Sequence, residues 1–430
     1  MYALCPECEH VNIDPGKGGF IKCSACGAEF KSRPLPEKFK QSRQGAGPPG
    51  PGAGGLRSFP PEEGEEGPVR LPPPPQQYYD WSSGRYYPPP AESESILKTI
   101  KNFFVLIIGF LTLVGLFCFF AIYVLNLFAL GPTLALVLPN MMHASPILFV
   151  PTVFPPFLAV IGHVPAGYPA VIYFIFIVFA ILYSMYWLLK TEGREALQIL
   201  KRYGSNLQAP LKSRNSFFLF PQIFLAILFF NVVVVLLFTY FGAPPETPES
   251  LSEDTPLWKL MYQLANASVW EEFVTRVLFL GMPLAFIEFG RRNMKRGNQT
   301  EWKRFLLGGK MEIGFPEAAF ILFSATIFGL AHISGWDYWK FAPTFLSGLA
   351  FGYLFVVKGL HVAILLHFAF DYMMIPLELF NNNIILSMVY GLIILFFFAL
   401  GFIFFIYFGI QVGEFTVDKM KAWRKESSRT

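Results

Sequence analysis

Trp270-Glu271-Glu272-Phe273-Val274-Thr275-Arg276 lies inside an apolar stretch that runs from about residue 258 to 288. Two later apolar stretches carry Phe328-Gly329-Leu330-Ala331-His332 and His367-Phe368-Ala369-Phe370-Asp371. An ionisable side chain at the centre of a bilayer costs about 2.5–3.5 kcal/mol on insertion scales. Glu271, Glu272, Arg276, His332, His367 and Asp371 therefore need a reason to be there. Such residues in a membrane helix mark a pathway, a relay or a reacting site.

Working outward, eight apolar runs reach the roughly twenty residues that a bilayer crossing requires. They fall near 103–126, 169–190, 217–241, 258–288, 316–333, 339–357, 361–379 and 385–411. The loops after the second and fourth runs are basic, with Lys190, Arg194, Lys201 and Arg202 in one and Arg291, Arg292, Lys295 and Arg296 in the other. The tail carries Lys419, Lys421, Arg424 and Lys425, whereas the loop 243–256 is acidic. The positive-inside rule puts the basic loops and the tail in the cytoplasm. Eight crossings with both ends cytoplasmic satisfy all of these assignments. The predicted fold is an all-α polytopic membrane protein, and the predicted location is a bacterial inner (cell) membrane. The first apolar run begins only after Lys101, so insertion through internal segments is expected rather than a cleaved leader. Residues 127–168 are apolar but broken by Pro146, Pro151, Pro155, Pro156 and Pro165. They read as an interfacial or re-entrant segment, with a hairpin of two short spans as the alternative. His143 and His163 in that segment receive no role.

Over half the residues are hydrophobic, 53%, which excludes an ordinary soluble domain. The net charge of +4 is modest and its basic residues lie between spans. Nucleic acid is therefore not an expected partner. Cys5, Cys8, Cys23 and Cys26 form two Cys-x-x-Cys pairs separated by fourteen residues. That spacing predicts a structural zinc ribbon with four thiolate ligands, in a reducing compartment. Cys118 lies in the first apolar run and reads as a packing residue. Residues 34–94 are rich in Pro and Gly and cannot bury enough apolar surface to fold. The expected organisation is a zinc ribbon over 1–33, a disordered linker over 34–94, N-terminal membrane helices over 95–215, a catalytic core over 216–415 and a basic tail over 416–430. Tyr78, Tyr79, Trp81, Tyr86 and Tyr87 interleave with the linker prolines. Ribbon and linker together are a candidate docking region for a protein partner.

On a helix Glu272 and Arg276 are four apart with the acid first, the favourable order for an ion pair. Glu271 points about 100 degrees away, and its i+4 neighbour is Thr275 rather than a cation. A carboxylate without a cation is free to take a proton from water, which makes Glu271 the candidate base. The plain structural alternative is a protonated carboxyl bonded to backbone. His367 and Asp371 share a helix face, so Asp371 is expected to orient the imidazole. Gly329 and Ala331, just before His332, would let a second helix approach closely. Counting along the spans places His332 toward the outer end and His367 toward the inner end. Their meeting requires a tilted or broken helix.

EExxxR, FxxxH and HxxxD, in this order on successive spans, resemble the CAAX-protease and bacteriocin-processing family of intramembrane endopeptidases. The resemblance covers roughly residues 217–411. It implies that Glu271 activates water, with His332 as its partner. It implies that His367 stabilises the oxyanion or, in a metalloprotease reading, binds a divalent metal together with Glu271 and His332. Phe328, Glu272 and Arg276 would be supporting residues. Asp371 stands where the prenyl-protein branch has Asn. Asn can donate a hydrogen bond to an oxyanion and ionised Asp cannot, so Asp371 instead orients His367 or a metal, or is protonated. The implied substrate is a membrane-associated protein or peptide, of CAAX type or a leader to be processed. Two other classes compete: a transporter using Glu and His as a proton relay, and a catalytically silent scaffold acting through ribbon and linker. Transporters commonly show internal repeats, and the sequence shows none.

Overall fold

The computed structural model describes residues 96–427 apart from 153–157, 203–212, 247–254, 294–301, 381 and 382, together with six short strands between Tyr2 and Tyr87. Two compact units are distinguished, Met1–Ala91 and Glu92–Thr430. In the first, β1 (Tyr2–Leu4) pairs antiparallel with β2 (Val11–Ile13), β3 (Phe20–Lys22) with β4 (Glu29–Lys31), and β5 (Tyr78–Asp80) with β6 (Arg85–Tyr87). Cys5, Cys8, Cys23 and Cys26 lie outside the described residues, as does most of the 34–94 segment.

The second unit is an all-α polytopic membrane fold. Among the described residues, seven helices are long and apolar enough to cross a bilayer. They are α1 (Ile96–Met141), α2 (Tyr168–Arg202), α3 (Ser216–Tyr240), a composite fourth span, α7 (Phe315–Trp336), α8 (Phe341–Val357) and α11 (Ile384–Ser427). The composite span is α4 (Leu257–Glu272), a π-helical stretch (Phe273–Gly281) and α5 (Met282–Asn293). Short helices α6 (Trp302–Leu307), α9 (Leu360–Tyr372) and α10 (Ile375–Leu379) complete the element order.

The expected eighth crossing, 361–379, is not one full-length helix. It is the 13-residue α9, followed by a turn and α10. Val362, Ala363, Leu365, Leu366, Phe368 and Tyr372 of α9 are all fully buried. A helix enclosed by other helices need not match the bilayer thickness, because protein rather than lipid satisfies its ends. Tyr123 on α1 donates to the Leu365 carbonyl at 3.2 Å, and Tyr372 donates to the Met261 carbonyl at 2.8 Å. These bonds fix α9 between α1 and α4.

Residues 127–168 also differ from expectation. α1 continues fifteen residues past 126, through Pro132 and Pro139, to Met141. The prolines that do break the chain lie beyond it, where β7 (Ile147–Pro151) pairs antiparallel with β8 (Leu158–His163). Pro151 closes β7, a position where a missing donor costs the ladder nothing.

The two basic loops share one end of the bundle. Lys358, after α8, pairs with Glu192 of α2 at 3.2 Å. The same carboxylate accepts from the Ser216 amide and hydroxyl at the start of α3. A carboxylate at a helix N-terminus is favoured by the unpaired amides and the dipole there. The chain beyond α6 returns to this end, with Gly309, Lys310 and Met311 amides bonded to the carbonyls of Phe355, Val357 and Val356.

Candidate active site

The EExxxR motif sits where α4 gives way to the π-helical stretch. π-helical turns inside α-helices occur mostly at functional sites, because the extra residue rotates side chains out of the regular spiral. The ion pair expected from spacing is present: Arg276 Nε lies 3.1 Å from Glu272 Oε2, and both side chains have no solvent exposure. Arg276 Nη1 also donates to Ser324 Oγ at 2.6 Å, and that hydroxyl donates to the Thr275 carbonyl at 2.8 Å. The guanidinium lies 5.3 Å from the Phe328 ring and 5.6 Å from that of Phe351, within cation–π range.

Glu272 has a second partner that the sequence did not reveal. Its Oε1 lies 3.0 Å from Nδ1 of His367. Asp371, read as the orienting carboxylate, faces the other ring nitrogen instead, with Oδ2 3.3 Å from Nε2. Spacing along one helix placed Asp371 near His367 correctly. It had no means of showing that a carboxylate on α4 holds Nδ1. Phe351 stacks on the His367 ring at 4.9 Å, and Phe328 meets it edge-on at 5.9 Å.

Glu271 turns away from this pair. Its Oε2 lies 3.8 Å from His332 Nε2 and 3.9 Å from His367 Nε2. That oxygen is buried and, among the described residues, has no hydrogen-bond partner. His332 Nδ1 is 2.7 Å from the Phe328 carbonyl, a contact only an N–H makes favourably. The Nε2 lone pair of a neutral His332 therefore faces Glu271. Phe328, one turn before, packs against the His332 ring at 4.7 Å. Thus three spans that are far apart in sequence bring Glu271, His332 and His367 together. His332 and His367, counted to opposite ends of their spans, both lie within 4 Å of one Glu271 oxygen.

Small residues permit this convergence. A Cβ on Gly348 of α8 would sit 2.9 Å from the Ala325 Cα of α7. A Cβ on Gly329 would meet the Phe341 ring at 3.1 Å. These contacts realise the close approach expected beside His332.

A cavity of about 200 Å³ opens on this cluster. Glu271, Thr275, Phe328 and His332 form its floor, while Phe149 and Pro151 of β7 line it from another element. Trp270 Nε1 donates to the Phe149 carbonyl at 2.8 Å, tying the hairpin to α4. At the lip, the Lys340 ammonium sits 3.8 Å from the Trp336 ring centroid. Sequence reading missed Ser268, Ser324, Phe149 and Lys340. For the serines a signal existed. Ser268 precedes Glu272 by four residues and donates to Asp371 Oδ2 at 3.2 Å. Ser324 precedes His332 by eight, two turns up the same face.

The donor set bears on a metal. Among the described residues, no group of three His, Cys, Asp or Glu side chains is disposed to hold a metal ion. Asp371 faces the His367 nitrogen that a metal would need. His361 stands apart near Lys358, with Nε2 buried and without a hydrogen-bond partner among the described residues. His143 and His163 lie in the turn after α1 and at the end of β8.

Residues 253–373 match the family described as Rce1-like, type II CAAX prenyl endopeptidase. The match spans all three motifs. It supports an intramembrane peptide hydrolase of the CAAX-protease class, in an integral membrane chain. No curated protein and no solved structure matches the chain significantly.

Proposed function

We propose that this chain hydrolyses a peptide bond of a membrane-associated protein or peptide, of CAAX or leader type, by direct attack of a water activated by Glu271. The observation that carries the reading is the Glu271 Oε2, without a hydrogen-bond partner among the described residues, within 4 Å of two imidazole nitrogens and at the wall of the cavity. Glu271 takes a proton from water while His332 Nε2 accepts a second hydrogen bond and aligns the nucleophile. His367 donates from Nε2 to the carbonyl oxygen as negative charge develops there. Glu272 holds its Nδ1, and the buried Arg276 keeps Glu272 ionised and fixed. The proton on Glu271 then passes to the leaving amine. Asp371, bonded by Ser268, turns the His367 Nε2–H toward the site rather than contacting substrate itself.

The remaining assignments extend this reading. The lipid bilayer of a bacterial inner membrane surrounds the spans, and the enclosed α9–α10 segment completes an even number of passages that leaves both termini cytoplasmic. Structural zinc held by Cys5, Cys8, Cys23 and Cys26 suits their order in the chain, since each pair falls between two paired strands. The ribbon and linker then present a docking surface to a protein partner.

The test is reconstitution of the full chain with farnesylated CAAX peptides and with leader peptides, comparing wild type with Glu271→Gln, each with and without a strong chelator. Cleavage that survives chelation and disappears in Glu271→Gln supports the proposal. Cleavage lost on chelation of the active-site medium, or retained in Glu271→Gln, overturns it.

A further inference from the structure

The β7–β8 hairpin, in the segment that the sequence reads as interfacial or re-entrant, stands beside the candidate catalytic cavity, and among the described residues no third strand pairs with β7. We propose that this edge, at Phe149 and Pro151 of β7, binds the substrate backbone as an added antiparallel or parallel β-strand and lays the scissile bond against Glu271. The inference rests on the endopeptidase reading and names how that site takes its substrate.

The ladder geometry points to it. The Val164 amide donates to the Pro146 carbonyl at 2.8 Å, so residue 146 faces β8. Leu148, two residues on, pairs with Gly162, and an irregularity follows between Leu148 and Phe149. The Phe149 carbonyl accepts from Trp270 at 2.8 Å and so points away from β8. In an antiparallel ladder the N–H and C=O of one residue leave the strand on the same side. The Phe149 amide therefore also faces away from β8, toward the cavity that Phe149 and Pro151 line. Pro151, in the same register, offers a carbonyl and no amide. The edge thus presents one donor and one acceptor, 6–7 Å apart at about 3.4 Å per residue. An antiparallel peptide meets them with two of its residues, two apart in its sequence, one offering its carbonyl to the Phe149 amide and the other its amide to the Pro151 carbonyl.

Two further features suit a peptide in this place. A protease must hold its substrate extended, since a helical peptide keeps its carbonyls in its own hydrogen bonds. Adding a strand to a free edge supplies the main-chain bonds that a helix entering from the membrane would lose. The hairpin is also anchored where precision matters. The Trp270 bond to Phe149 comes from the residue immediately before Glu271, so edge and candidate base share one rigid attachment. Trp270 stacks on Phe273 at 6.0 Å, which fixes the indole.

The experiment measures binding to the full-length Glu271→Gln protein in nanodiscs, with a fluorescent farnesylated CAAX peptide as probe. The peptide is N-methylated at one backbone position at a time across the residues flanking the scissile bond. The expected result is one sensitive position: methylation of the single peptide amide that meets the Pro151 carbonyl weakens binding about tenfold, the worth of one good hydrogen bond, and methylation elsewhere less than threefold. A uniform loss, no loss anywhere, or no binding of the unmodified peptide overturns the proposal. A second arm uses Phe149→Pro, which deletes the outward amide at a position the β8 ladder does not use, against Phe149→Leu, which keeps it. Weaker binding by about tenfold in Phe149→Pro alone supports the proposal; equal affinities of the two variants overturn it. Cleavage by the wild-type protein is read separately. Position-specific loss of binding without any cleavage sinks the endopeptidase reading and leaves the edge intact.

Discussion

Two polar clusters lie inside this bundle, and they differ in what their carboxylates lack. At one end Glu192 accepts from Lys358, the Ser216 amide and the Ser216 hydroxyl, and Asn215 bonds the neighbouring Glu195 at 2.8 Å. Each of these groups has a partner, and the cluster joins the ends of α2, α3 and α8. At the other site Glu272 is satisfied in the same way, by Arg276 and His367, while its sequence neighbour Glu271 keeps one buried oxygen unbonded. Burying a polar group without a partner costs free energy. A fold retains such a group where something else is meant to meet it. Other buried atoms, such as Arg276 Nη2 and His361 Nε2, also have no hydrogen-bond partner among the described residues, and Glu271 Oε2 differs from these two in lining a cavity within 4 Å of two imidazoles.

The comparison can be broken at Glu271 first. Glu271→Gln should lower cleavage by about a thousandfold, within the range of general-base catalysis, without lowering the thermal unfolding temperature in detergent. A variant that unfolds earlier would place Glu271 with the architectural groups. Glu272→Ala should do the reverse in stability. It strands the fully buried Arg276, and removal of one partner from a buried pair costs about 3–5 kcal/mol. The double replacement Glu272→Leu with Arg276→Met should recover most of that stability but not activity, because His367 Nδ1 loses its holder. Recovery of both would reduce the pair to packing. In the opposite cluster, Glu192→Ala should cost about 1–3 kcal/mol of stability and leave kcat per folded molecule unchanged. A fall in kcat would couple the two ends. The smallest effect should come from Asp371→Asn, less than about tenfold in kcat with KM unchanged, since one oxygen still accepts from Ser268 or His367. Abolished activity would make Asp371 a reacting group.

Much of this was legible in the sequence. Seven of the eight apolar runs and the Glu272–Arg276 pair follow from run length and i+4 spacing, while the meeting of Glu271, His332 and His367 was implied by the motif resemblance and ran against simple counting along the spans. What stayed hidden depends on tertiary context. The π-helical stretch after Glu272 leaves no residue signature, and the 361–379 run is as apolar as a crossing although α9 is enclosed and short. The hairpin at 147–163 reads only as apolar and proline-broken, because its meaning comes from Trp270 on a distant helix. The second role of Glu272 was concealed by its first, since a carboxylate already paired with Arg276 gives no reason to seek a histidine ninety-five residues away.

The most direct measurement compares cleavage rates of the single variants Glu271→Gln, His332→Ala and His367→Ala with that of the triple variant, on one reconstituted peptide. Groups that act on one water as a unit fail together, so the triple variant should be no slower than Glu271→Gln alone. Losses that multiply from one variant to the next, or wild-type turnover in Glu271→Gln, would contradict a single hydrolytic centre built from three helices.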